Sequence, residues 1–302
     1  MTISPEKFVR RLAAISEHDG IPYRRTHFLF DEEQKHRRAT FKYKGHLALS
    51  HSFKCFFLET VERVNIECRP RITKPVPELY LFFVPRLAHD FRSLCAAERV
   101  AIDGYPYHGY TLLRNTFDNL VLTSAALQGL ANFYSIYGAE PGKEIEPRSM
   151  RKLRKSTEFA ARLEMTGKRS GLSQDTIGEL AKWDALFDYE THGGLLSFTQ
   201  ANDWLRSLGP LSMLPKFDET AFAMFMNRFS EIGWMTHRLL PLLQPPGVPL
   251  ADTWGRKWRL IDESFEFMNE ALVRQCGKRI GAAMIELVRK KFPYNERCEF
   301  PL

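Results

Sequence analysis

The stretch GYTLLRNTFDNLVLTSAALQG (residues 109–129) sets Arg114, Asn115 and Asp118 among apolar residues at helical spacing. Arg114 and Asp118 are four apart, so they share a helix face and can pair. Asn115 and Asn119 form the neighbouring ridge, and Leu112, Leu113, Phe117, Leu120 and Val121 flank both. Burying an isolated charge is costly, so the arginine needs partners inside the fold or a ligand in a cleft. In the first case an intrahelical Arg–Asp pair orders a bundle. In the second, Arg114 contacts phosphate while Asn115 orients it, a task that suits a planar guanidinium.

A second constellation is WDALFDYETHGG, where Asp184, Asp188 and His192 fall at i, i+4 and i+8 along one helix face. A carboxylate one turn from a histidine raises the imidazole pKa and fixes its orientation, as general acid–base chemistry requires. The same three groups make a weak candidate for a divalent-metal site. The plainer alternative is a solvated face whose final histidine meets the helix C-terminal dipole.

Basic residues make the third candidate. Residues 148–169 carry eight basic and two acidic side chains, with Arg148, Arg151, Lys152, Arg154 and Lys155 in two turns and Lys168 and Arg169 beyond. That density suits an acidic partner such as RNA, or else a solvated face. In WGRKWR (254–259) two tryptophans alternate with three basic residues. Trp254 and Trp258 are read either as stacking platforms for bases or as anchors to the core at i, i+4.

Helical periodicity positions these groups nearly end to end, which makes the fold class an all-α helical bundle. Ser4 and Pro5 begin a first helix. Residues 21–43, IPYRRTHFLFDEEQKHRRATFKY, are charged and aromatic without helical spacing, and are expected to form an irregular arm or small β-hairpin. A helix resumes from His46 to about Asn65, and three prolines in CRPRITKPVP break it. Residues 78–102 and 110–137 read as two long helices joined by DGYPYHG, an antiparallel hairpin with Pro85 as a kink. Ser173 caps a helix that ends near His192. Further helices are expected over 217–243, 253–274 and 278–291. The composition divides the chain into an N-terminal region (1–75), a bundle core (76–200) and a C-terminal helical region (201–302) packed as one unit.

The chain has 302 residues, 44% of them hydrophobic and 23 of them Phe, which excludes a disordered protein. Its five cysteines include no Cys-x-x-Cys pair, so reduced thiols in a cytoplasmic protein are expected. The N-terminus carries charge within its apolar run, unlike a signal peptide. The longest charge-free run, Leu120–Ala139, holds too many polar residues for a membrane span. A net charge of +7 permits nucleic-acid binding without requiring it. Phosphate-loop, dinucleotide-fold, zincin and Gly-x-Ser-x-Gly motifs are missing, and no cofactor is indicated. Glu263, Glu266 and Glu270 share a face but lack the Glu-x-x-His partners of a di-iron bundle.

The segment FVPRLAHDFRSLCAAERVAIDGYPYHGYTLLRNTFDNLVLTSAALQG resembles the helical hairpin of bacterial HEPN-like families. In those, a Leu-Leu-Arg-(Ser/Asn)-apolar-apolar-(Glu/Asp) helix follows a long amphipathic helix. A later helix carries Tyr, Ser and His near its end, comparable to Tyr189, His192 and Gly193. The resemblance covers residues 76–200. It implies a helical bundle, often a homodimer, in bacterial toxin–antitoxin or antiviral defence, and in many members a ribonuclease. Where such families place a histidine shortly after the arginine, this chain has Asn119. The chain departs from the family pattern there, and the expectation in its place is a composite site in which His192 deprotonates a 2′-hydroxyl and Arg114 stabilises the phosphorane, with Asn115 and Asp118 beside them. Two other expectations stand next to it: a non-catalytic helical module for nucleic acid or a partner protein, and a nucleotide-sensing protein.

Overall fold

The computed structural model describes residues 4, 7, 10, 11, 14, 27–73, 78–130, 147–191, 217–245, 247–248, 250–276 and 281–292. Among these, every regular element is helical. The order is α1 (His27–Thr40), α2 (Lys44–Arg63), α3 (Glu78–Ile102), α4 (Pro106–Leu127), α5 (Pro147–Thr166), α6 (Gln174–Thr191), α7 (Glu219–Leu239), α8 (Asp252–Cys276) and α9 (Ala282–Lys291). No helix among the described residues is long and apolar enough to cross a membrane.

The arm or hairpin expected at residues 21–43 is corrected over its described part. Residues 27–40 are helix α1, followed by a 3-10 turn, Phe41–Tyr43. Over residues 30–40 the buried side chains are His36 and Thr40, so no apolar period announces this part of the helix. Arg37 pairs with Asp103, and Tyr105 donates to Glu33, tying α1 to the α3–α4 turn.

The hairpin of α3 and α4 forms, with Pro85 inside α3, but the second helix starts at Pro106 and closes at Gln128 instead of running on to 137; residues 131–137 lie outside the described residues. Gly104 (φ +102°) makes the turn, a backbone region open mainly to glycine, and Pro106 starts α4 at a position where its missing N–H is harmless. The Ser173 hydroxyl accepts from the Thr176 N–H at the start of α6, and Asp218 caps α7 through the Ala221 N–H.

Helix α7 is the axle of the bundle. It packs on α4, α3, α2 and α8, and 17 of its 21 residues are buried. Close approach to α4 occurs at Gly109, where a Cβ would stand 2.6 Å from the Phe225 ring. On its other side, α4 is flanked by α5 and α6, and these two helices hold the charged groups that meet Arg114.

Candidate functional site

Arg114 points from α4 into the groove formed with α5 and α6, and is only 4% exposed. Its Nη1 donates to Asp184 Oδ1 at 2.6 Å and to the Asp184 carbonyl at 3.4 Å. Its Nε reaches Asp118 at 3.4 Å, one turn along α4, and Nη2 stands 3.9 Å from Asp188. Arg162 of α5 closes the set, donating to Asp118 and standing 3.6 Å from Asp184. The Arg114 guanidinium carbon lies 5.8 Å from the Phe117 ring centre and 5.5 Å from that of Phe187, so aromatic faces cover what the carboxylates leave.

Two cations and three carboxylates leave this network with one net negative charge. Burial pushes the Asp118 carboxyl above its ordinary value, against the pull of Arg114 and Arg162. An incoming phosphate would have to displace carboxylates already bonded to Arg114, and it would meet surplus negative charge.

The other predicted residues separate from this centre. Asn115 is exposed on the next ridge and makes no hydrogen bond to Arg114; Asp184 and Asp118 do the orienting. The backbone reason is the 100° turn between successive helical residues. His192 lies outside the described residues, so its place beside Arg114 is not part of this geometry. Asp184 and Asp188, suggested as metal ligands with it, face Arg114 instead. Among the described residues no group of three His, Cys, Asp or Glu side chains is arranged for a metal ion.

The stacking role for Trp254 and Trp258 is also corrected, since each is only 2% exposed. Trp254 Nε1 donates to Thr60 Oγ1 at 2.8 Å, and its ring stacks on Phe56. Trp258 donates to the His237 carbonyl at 3.0 Å, stacks on the His237 ring, and accepts from His237 Nε2 through its own carbonyl at 2.9 Å. The two tryptophans are core anchors one turn apart.

The basic helix is accessible. Arg151, Lys152 and Lys155 are exposed along α5, as are Lys168 and Arg169 past its end, where Arg169 meets Glu164 at 3.2 Å. The side chains of Arg148 and Arg154 lie outside the described residues. On the same outward face Phe159 is 66% exposed and Leu163 is exposed one turn later. Lys152, Lys155, Phe159 and Leu163 recur at helical spacing, so cations and an aromatic ring share one strip.

One buried cluster escaped the sequence reading. Glu231 of α7 accepts from Trp183 Nε1 at 2.9 Å, Asn227 at 3.2 Å and Arg228 at 3.3 Å. Arg228 also stands 4.0 Å from Glu190 and 4.6 Å from the Trp183 ring centre. Burial raises the Glu231 carboxyl to about 7, opposed by Arg228 and the Asn227 bond. The available signal was Asn227, Arg228 and Glu231 close together in a mostly apolar run, FAMFMNRFSEIGW. These polar groups pin α6 to α7.

Comparison with protein-family models, with curated proteins and with solved structures finds no match to this chain.

Proposed function

We propose that the protein is an intracellular, non-catalytic helical module that binds single-stranded RNA through the outward face of α5, on a HEPN-like scaffold. The observation that carries this reading is the strip of Lys152, Lys155 and Phe159, with Arg151 beside it. Ammonium and guanidinium groups spaced along a helix meet successive phosphates, and an exposed ring stacks on any base without reading its identity. Arg114 supports binding over cleavage, because its hydrogen bonds go to carboxylates that hold three helices together.

The test is fluorescence anisotropy with a labelled single-stranded RNA, titrated in salt, with cleavage followed in the same samples. Wild type should bind with a steep salt dependence. Lys152→Gln and Lys155→Gln should each lower the log–log salt slope by about 0.7, the value for one phosphate contact on a single strand. Phe159→Ala should cost about 1–3 kcal/mol of binding. Absence of RNA binding ends this proposal. Cleavage that a folded Arg114→Lys variant loses would replace it with the ribonuclease reading.

A further inference from the structure

At the end of α2 the helix changes pitch. Val64–Cys68 wind as a π-helix, and Arg69–Arg71 follow as a 3-10 turn. π-turns are rare and are frequent at functional sites. This one borders a cleft of about 280 Å³ that opens between α2, α3 and the 3-10 turn Leu240–Leu243. Val64, Tyr80, Val84 and Leu243 make its apolar wall. The Tyr80 hydroxyl donates to the Leu243 carbonyl at 2.7 Å, which turns the ring toward this wall and ties the two sides together.

Among the described residues that line the cleft, Arg69 and Asn65 are the polar groups with side chains free of the apolar wall, and none of them is a carboxylate. The neighbouring arginines are engaged: Arg63 with Glu59 and Glu67, and Arg71 with the Glu67 carbonyl. Arg69 is exposed and has no ion pair among the described residues. An apolar wall beside the Arg69 cation complements a molecule with an apolar body and one anionic end. At about 30 Å³ per water-sized group, the volume holds about nine such groups.

We propose that this cleft binds an amphiphilic carboxylate of medium chain length, with its tail against Val64, Val84 and Tyr80 and its carboxylate at Arg69. The site lies apart from α5, and the proposal is independent of RNA binding.

The experiment is calorimetric titration of the full chain with octanoate, 1-octanol and octylamine. Octanoate should bind saturably at one site, and octylamine about fivefold or more weakly, the scale of an exposed charge contact. Arg69→Gln should bring octanoate to the affinity of 1-octanol and leave 1-octanol unchanged. Val64→Phe and Val84→Phe fill the cleft from different helices, and each should abolish binding while circular dichroism and Tm confirm a folded chain. If either filling variant fails to fold, the other and the Arg69→Gln headgroup comparison decide. Lack of saturable octanoate binding, equal binding of octylamine, or binding untouched by a folded filling variant would overturn the proposal.

Discussion

Arg114 Nη1 of α4 lies 2.6 Å from Asp184 Oδ1 of α6, joining helices whose paired residues are 70 positions apart. Truncating Arg114 would leave Asp118 and Asp184 with only the half-exposed Arg162 between them. Arg114→Ala should therefore destabilise the protein by about 1–3 kcal/mol in chemical denaturation, since the carboxylates it leaves are partly solvated and keep Arg162. Asp184→Asn, at a side chain 41% exposed that keeps an acceptor, should cost about 1 kcal/mol or less. Equal effects of the two changes would remove Arg114 from the centre of the network.

Two glycines make opposite predictions for the same substitution. At Gly109 an added Cβ meets the Phe225 ring at 2.6 Å and the Ala97 carbonyl oxygen at 3.0 Å, so Gly109→Ala should cost about 1–3 kcal/mol. At Gly178, on the exposed face of α6, a Cβ meets nothing within 4 Å. Gly178→Ala should stabilise by about 0.5–1 kcal/mol through helix propensity. Thermal melts of the pair check both signs.

Asp90 is buried, accepts from Asn119 at 3.0 Å, and is faced by Arg86 at 3.7 Å and His89 at 3.6 Å. Burial raises its carboxyl to about 7 from 3.8, against the pull of Arg86. The folded chain thus holds a proton that the unfolded chain releases, so this contribution is full below about pH 4 and lost as pH rises through about 7. Asp90→Asn keeps an acceptor for Asn119 and removes the titration. The variant should gain on wild type as pH rises from 4 to 8, by at most about 1.4 kcal/mol per unit, in denaturation curves taken across that range.

His237 has the opposite sign. Burial lowers its pKa to about 4 from 6.5, opposed by its bond to the Trp258 carbonyl. Its contribution is full above about pH 6.5 and is lost as pH falls toward 4. Stability of wild type relative to His237→Gln should decline over that window. A flat difference would mean that the ring is solvated.

The sequence made the α3–α4 hairpin legible because proline, glycine and apolar spacing agree there. It also exposed the Arg114–Asp118 pair, a relation within one turn. Asp184 and Arg162 as further partners were invisible, since their meeting depends on how α5 and α6 lie against α4. Helix α1 was hidden for another reason. Over residues 30–40 its buried side chains are His36 and Thr40, and ion pairing by Arg37 to Asp103 ties it to the α3–α4 turn. The Trp254 and Trp258 spacing was legible, but a tryptophan beside lysine reads alike whether its ring faces a base or a core.

The position of α7 in the chain has a consequence for synthesis. Tyr110 and Gly109 of α4 rest on Phe225, so the hairpin cannot finish its inner surface without a helix encoded about 90 residues after its own end. At roughly 5–20 residues per second the nascent chain carries that apolar surface uncovered for about 5–20 s beside the ribosome. Chaperones that shield hydrophobic segments have their longest opportunity in this interval. A chain arrested before Glu219 would present them with the groove that α7 occupies.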